Sequence, residues 1–202
     1  MILYGVAGTN GSGKDTLCQL LAERNEFLFV SVTDMLRNEA AKRVLPIERE
    51  VLRTISAEWR REQGLGVLVD KSLDFFESQG GSSKYNGLVM ASMRNPGEAD
   101  RVHGLNGFMI WTDADPAIRY KRIFDRQRTS EDNKTFEQFL EEEKAEMSSS
   151  GDSATLNMAA VKEKCDIFVN NYTDDIESFY AEIVKQLGLW ANDRDSAKAL
   201  SR

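Results

Sequence analysis

A nine-residue stretch near the start of the chain combines three glycines, hydroxyl side chains and one lysine, a set suited to binding phosphate. It consists of Gly8, Thr9, Asn10, Gly11, Ser12, Gly13, Lys14, Asp15 and Thr16. The glycines allow the backbone to turn tightly around an anion with its N–H groups pointing inward. The lysine adds a point charge that would reach the outer phosphates of a nucleotide.

The flanking residues place this stretch between a strand and a helix. The apolar residues 2–7 predict a buried strand, and residues 16–22 predict a helix whose N-terminus adds the positive end of its dipole. A strand, a glycine-rich turn ending in Gly-Lys and a helix form a P-loop. The spacing Gly-x-x-Gly-x-Gly disfavours a dinucleotide-binding turn, which needs Gly-x-Gly-x-x-Gly.

The residue after the lysine departs from most P-loops. These place Ser or Thr there as a magnesium ligand, whereas this chain has Asp15 followed by Thr16. We expect Mg²⁺ to accompany the nucleotide, with Asp15, Thr16 and Asp34 as ligands, directly or through water. The sequence leaves open which acidic residue positions the metal.

Composition favours one globular domain that does not bind nucleic acid polymers. The 202 residues suffice for one core, and a net charge of −7 lacks the basic face that nucleic acids require. Cys18 and Cys165 indicate a reducing compartment, because both fall in or beside predicted regular elements. No stretch has the pattern of a signal peptide or a membrane span, so we expect a cytoplasmic protein without membrane contact.

Strands and helices alternate, which predicts a three-layer α/β fold with a five-stranded, mostly parallel sheet. The predicted strands are 2–7, 27–32, 87–91, 108–111 and 166–170. Predicted helices include 34–41, 46–59, 135–147 and the strongly amphipathic 176–187. Segments 35–80 and 127–150 are helical insertions between core strands. Residues 191–202 predict a flexible tail, and no linker divides residues 1–202.

Charged residues follow several of the predicted strands, where ligands of open parallel sheets bind. Asp34 and Arg37 follow the second strand, Arg94 follows the third, and Asp113 and Asp115 follow the fourth. A guanidinium can bind two phosphate oxygens at once. We therefore predict a phosphate cradle, carboxylates and two arginines at one sheet edge. The run from Glu141 to Glu143 instead predicts a solvated helical face.

Several motifs resemble those of P-loop nucleoside and deoxynucleoside monophosphate kinases. The Gly-Lys-x-Thr ending and the segment from Val30 to Arg37 resemble adenylate kinases. The segment from Met90 to Glu98 resembles the strand-end arginine motif of deoxynucleotide kinases. Asp113-Ala114-Asp115-Pro116 with its arginine-rich helix, and the final strand, extend the likeness over residues 2–187. The same motifs also resemble those of the related dephospho-coenzyme A kinases.

The resemblance implies a kinase that transfers the γ-phosphoryl of ATP–Mg²⁺ to a small phosphorylated acceptor. The implied acceptor is a nucleoside or deoxynucleoside monophosphate, and dephospho-coenzyme A, with a hydroxyl nucleophile, is the alternative. The implied residues are Lys14, Arg122, Arg126 and Asp34 in catalysis, Gly8 to Thr16 in ATP binding, and Asp34, Arg37 and Arg94 in acceptor binding. Segment 35–80 would bind the acceptor, and 127–150 would be a short lid, with Arg128 as a further lid arginine.

Other functions fit the sequence less well. A GTPase switch needs an Asn-Lys-x-Asp motif, and the nearest run, Asn133-Lys134-Thr135-Phe136, does not match it. A regulatory P-loop ATPase stays open, because Asp15 is unusual and the acidic strand-end residue of adenylate kinases is replaced here by Met90 and Ala91. The choice between ATP and GTP, and between monomer and homodimer, also stays open.

Overall fold

The computed structural model describes residues 1–126, 134–147 and 151–189, which contain one five-stranded sheet. Its strands are β1 Ile2–Gly8, β2 Phe27–Ser31, β3 Gly87–Ala91, β4 Phe108–Asp113 and β5 Ile167–Asn170. The strand order is β2-β3-β1-β4-β5, and every pairing in the described residues is parallel. The predicted α/β class is confirmed, and the strand that precedes the P-loop lies at the centre of the sheet.

Helices cover both faces of the sheet. In the described residues they are α1 Lys14–Asn25, α2 Val32–Lys42, α3 Arg49–Gln63, α4 Val67–Ser78, α5 Pro96–Gly104, α6 Pro116–Arg126, α7 Phe136–Glu146, α8 Met158–Glu163 and α9 Ile176–Leu187. No helix in this part of the chain is both long and apolar enough to cross a membrane.

Alternation along the strands divides the apolar core into two clusters. In β4, Met109 and Trp111 join the cluster beneath α3, α4 and α5, whereas Ile110 joins the cluster beneath α1 and α9. Phe179 and Ile183 supply the α9 side of the second cluster, as their helical spacing predicts. The sheet is therefore buried on both faces, and its polar ends are the places left for ligands.

Most boundaries differ from the sequence-based predictions by a few residues, and three of these differences concern α2, α3 and β4. Helix α2 begins at Val32, before the predicted start, because the Ser31 hydroxyl accepts a hydrogen bond from the Asp34 N–H at 3.2 Å and caps the helix. Helix α3 extends beyond the predicted end at Trp59 and stops at Gly64, whose φ of 98° few other residues adopt. Strand β4 continues to Asp113, so this carboxylate lies within the sheet end.

Arg60 and Glu98 form a buried ion pair that ties α3 to α5. Arg60 Nη2 lies 2.6 Å from Glu98 Oε1, and the two side chains are 4% and 0% exposed. The other oxygen of Glu98 accepts the backbone N–H groups of Arg94 and Asn95, at 2.7 and 3.1 Å. One carboxylate therefore holds both the inserted helix α3 and the turn that carries Arg94.

We expect Arg60→Met to lower the free energy of unfolding by about 3–5 kcal/mol, because it leaves the Glu98 carboxylate buried without its counter-ion. Urea denaturation measures the change. The matched control is Arg101→Ala, which removes a half-exposed pair with Asp70 and should cost no more than about 1 kcal/mol. Equal losses in the two variants would contradict a dominant role for the buried pair.

Candidate active site

The P-loop connects β1 to α1 through backbone conformations that require glycine. Gly11 and Gly13 have φ angles of 79° and 96°. A Cβ atom on Gly13 would also lie 2.3 Å from the Asn171 side-chain nitrogen. That nitrogen donates to the backbone oxygen of Ser12 at 3.0 Å. The glycines thus allow both the turn and the close approach of the residue that follows β5.

The ends of two strands brace the loop. Asp113 Oδ1, at the end of β4, accepts a hydrogen bond from the Thr9 hydroxyl at 3.3 Å. Asn171, just after β5, holds the loop from the other side and is 5% exposed. The loop is therefore fixed at both of its halves by residues more than 100 positions away in the sequence.

Lys14, the first residue of α1, is a buried cation. Its side-chain nitrogen donates to the backbone oxygen of Thr9 at 2.6 Å, and the residue is only 9% exposed. Burial, with the nearby guanidinium groups of Arg94 and Arg119, lowers the pKa of Lys14 to about 8, although Asp15 and Glu146 oppose the shift. The described hydrogen bond satisfies the ammonium with a carbonyl rather than a carboxylate. The site therefore suits a phosphate group, which would supply the missing negative charge.

A cleft of about 1570 Å³ extends from the P-loop across the sheet edge. Nine basic and seven acidic side chains line it, so its lining is net positive in a chain whose net charge is −7. The predicted site residues that line this cleft are Asn10, Gly11, Gly13, Lys14, Asp15, Thr16, Asp34, Arg37, Arg94 and Arg122. The structure thus brings the predicted donor and acceptor residues to one cavity.

The predicted acceptor residues already have partners within the protein. Arg37 Nη1 lies 2.7 Å from Asp34 Oδ1, one turn away on α2, and both side chains are exposed. Arg94 Nη1 lies 3.1 Å from Glu146 Oε2, at the end of α7. An anionic acceptor that bound these arginines would have to replace carboxylates.

Arg122 lies at the cleft, but its guanidinium is held by the loop between β5 and α9. It donates to the backbone oxygens of Asn171 and Thr173 at 3.1 and 2.7 Å, and lies 3.2 Å from Asp174. Its predicted role at the transferred phosphoryl stays a prediction. The structure does not describe the side chain of Arg126, and it does not describe Arg128 at all.

The described part of the predicted lid is α7 with its N-terminal flank. Residues 127–133 and 148–150 of this segment, and the predicted tail 191–202, lie outside the described residues. The expected solvated face is confirmed for Glu141 and Glu142, which are exposed, although Glu142 also pairs with Lys134. It is wrong for Glu143, which is 22% exposed at its side chain and pairs with the buried Arg119. From sequence alone, a run of charged residues on a helix predicts a solvated face, because the residues that pair with it lie far away in the chain.

Sequence patterns also missed Arg53 and Glu146. Arg53 of α3 lies 2.8 Å from Glu146, which also binds Arg94. Both missed residues occur in charged helical segments without a motif around them. The residues that line the cleft from α3 are detectable only once the fold brings α3 and α7 together.

In the described part of the chain, few side chains are grouped in a way that could hold Mg²⁺. Within residues 1–126, 134–147 and 151–189, no group of three or more His, Cys, Asp or Glu side chains could hold a metal ion. Asp15, Thr16 and Asp34 nevertheless line the cleft with oxygen atoms of the type that Mg²⁺ prefers. They fit a Mg²⁺ ion that keeps most of its ligands from phosphates and water.

The central P-loop strand, the parallel sheet and the cleft define a P-loop protein with a kinase-like fold. A shikimate kinase from Bacteroides thetaiotaomicron superimposes with a TM-score of 0.55 at 13% identity, covering 93% of this chain and 99% of its own. A putative kinase from Chloroflexus aurantiacus gives 0.54 at 18% identity, covering 93% and 96%. At these identities the likeness concerns the fold alone.

Sequence comparison then identifies the family. The family model described as "AAA domain" matches residues 5–147, and the chain belongs to this family. A UPF0200 protein from Pyrococcus abyssi is 30% identical over 149 residues, which cover 70% of this chain and 76% of the relative. Another from Methanococcus maripaludis is 24% identical over 194 residues, covering 91% and 98%. These relatives carry no activity in their names.

We expect ATP–Mg²⁺ binding near pH 8 to take up roughly half a proton, because Lys14 is about half neutral there and a bound phosphate would raise its pKa again. Affinity should fall as the pH rises through 8. Calorimetry in two buffers of different ionisation enthalpy measures the uptake. The Lys14→Met variant should bind more weakly and without this uptake; wild-type binding at pH 8 without proton uptake would contradict the assignment.

Proposed function

We propose that this protein is a kinase that transfers the γ-phosphoryl of ATP–Mg²⁺ to a small phosphorylated acceptor, a nucleoside or deoxynucleoside monophosphate. The observation that carries the proposal is one cleft with a buried P-loop lysine, Lys14, and two arginines that follow strands, Arg37 on α2 and Arg94 after β3. Phosphoryl transfer needs positioning and charge neutralisation more than covalent help from the protein. A cleft that offers separate cationic groups for donor and acceptor supplies both.

The donor half of the proposal rests on the P-loop. The backbone N–H groups from Gly11 to Thr16 and the ammonium of Lys14 would bind the outer phosphates of ATP. Asp15, Thr16 and Asp34 would hold Mg²⁺, directly or through water. When bound, the ion supplies positive charge to the phosphate oxygens as the bond to the leaving group breaks.

The acceptor half rests on Arg37 and Arg94. Their guanidinium groups would bind the acceptor phosphate in place of the carboxylates of Asp34 and Glu146. The Asp34 side chain would then be released from Arg37, and its oxygens could orient the attacking group of the acceptor or a magnesium-bound water. Arg122 and Arg126 would stabilise the transferred phosphoryl after rearrangement of the lid segment.

Dephospho-coenzyme A stays the alternative acceptor. It too carries phosphate groups that arginines would bind, but its nucleophile is a hydroxyl rather than a phosphate oxygen. The same cleft residues would serve both reactions. The identity of the phosphorylated product therefore decides between them.

A panel of nucleoside monophosphates, deoxynucleoside monophosphates and dephospho-coenzyme A, each incubated with ATP–Mg²⁺, tests the function. We expect one class of acceptor to gain a phosphoryl group in step with ADP formation, as detected by mass spectrometry. Lys14→Ala should abolish transfer with little loss of folding, because it removes the charge at the outer phosphates. Near-normal turnover in the folded variant, or release of inorganic phosphate alone, would refute the proposal.

We expect Arg37→Ala and Arg94→Ala each to weaken acceptor binding by about 1.5–3 kcal/mol while leaving ATP binding nearly unchanged, since each removes a charge-assisted hydrogen bond. Separate dissociation constants for ATP and for the acceptor measure the two effects. The control is Lys185→Ala on α9, which removes the pair of the exposed Lys185 with Glu182; neither residue lines the cleft. Equal losses for both substrates would place the arginines outside the acceptor site.

A further inference from the structure

Glu146 bridges two arginines that come from different parts of the fold. One carboxylate oxygen lies 2.8 Å from Arg53 Nη2 on α3, and the other lies 3.1 Å from Arg94 Nη1 after β3. All three side chains line the cleft that contains the P-loop. The glutamate is 18% exposed at its side chain, so the arginines hold it largely out of water.

The helix itself does not favour a negative charge at this position. Glu146 is the last residue of α7, where the helix dipole is negative and repels a carboxylate. Burial alone would raise the pKa of Glu146, but Arg94 and Arg53 outweigh burial and lower it. The two guanidinium groups are therefore what keeps a charged carboxylate at this helix end.

The bridge has the form of an arginine-bound phosphate. Two guanidinium groups each bind one oxygen of the same anion, which is how arginine pairs hold phosphate. A phosphate dianion offers a third oxygen and a second charge. It can therefore bind the same pair of arginines more strongly than one carboxylate.

We infer that Arg53 and Arg94 form an anion subsite that Glu146 occupies in the free protein and leaves when an anionic group of the acceptor binds. The inference rests on the proposed function, because it assumes that this anion is part of the acceptor. The exchange makes and breaks ion pairs only. Glu146 thereby acts as a specificity-determining residue, because a weakly charged molecule cannot displace it.

The other half of α7 is anchored independently, so the exchange need not detach the helix. Phe136 and Phe139 lie in its first turn, with ring centroids 5.3 and 5.8 Å from that of Tyr120 on α6. Displacement of Glu146 releases the end of α7 beyond Glu143, while these aromatic contacts and the pair of Glu143 with Arg119 keep the rest of the helix in place. The subsite therefore couples the presence of an acceptor anion to the position of the C-terminal end of α7.

The test measures binding of inorganic phosphate, which needs neither ATP nor turnover. All proteins carry Lys14→Ala to suppress binding at the P-loop. We expect Glu146→Gln to bind phosphate about tenfold more tightly than its parent, since the competing charge is removed. Glu141→Gln, which alters an exposed glutamate on the same helix, is the matched control and should not change the affinity.

A double variant assigns the gain to the subsite. Adding Arg53→Gln to Glu146→Gln should abolish the tenfold gain, because one arm of the subsite is lost. An affinity in Glu146→Gln equal to that in Glu141→Gln, or a gain that survives Arg53→Gln, would overturn the inference. Failure of every acceptor in the kinase assay would refute the proposed function and leave this binding result unaffected.

Hydrogen exchange on the Lys14→Ala parent, in which Arg53, Arg94 and Glu146 are unaltered, gives a second measurement. Saturating phosphate should speed exchange of the amides at the C-terminal end of α7 and leave those near its aromatic start unchanged. Unchanged exchange at the C-terminal end, at a phosphate concentration shown to saturate the subsite by calorimetry, would equally overturn the inference.

Discussion

Burial of positive charge at the start of α1 is the constraint on which the rest of the site depends. Lys14 loses water there, and the nearby arginines make its ammonium less favourable still. The protein balances the arginines with its own carboxylates, through the pairs of Arg37 with Asp34 and of Arg94 with Glu146. The lysine instead contacts a carbonyl. At the P-loop the cleft therefore offers a positive charge that an anionic ligand can neutralise. At Arg37 and Arg94 the protein's own carboxylates already neutralise the charge.

Glu98 connects this charge pattern to the architecture. One of its oxygens binds Arg60 of α3, and the other binds the backbone that leads into Arg94. Helix α3 also carries Arg53. Glu98 therefore helps to position both of the arginines that bind Glu146. Ser92, with a φ of 73°, lies in the same turn in a conformation that most residues avoid. A rigid, locally strained turn therefore presents Arg94 to the cleft.

Local patterns made the P-loop and the sheet predictable. Glycine spacing, the Gly-Lys ending and short apolar runs depend on neighbouring residues, so Lys14 and all five strands were located before the fold was known. Pairings across the fold were not predictable. Arg53 and Glu146 lie 93 residues apart, and nothing near either residue indicates the other. The same holds for Arg122, whose partners follow β5. The short helix α8 lacks enough residues to show a period.

The strand order also governs when the phosphate loop can assemble as the chain emerges from a ribosome. Both neighbours of β1 come later in the sequence: β3 pairs from Gly87 and β4 from Phe108. The brace from Asn171 is later still. Such long-range parallel pairing is slow to form, because loop closure precedes any gain from the contacts. A nascent chain that already contains every residue of the loop therefore has no finished nucleotide pocket until almost the whole domain has been translated.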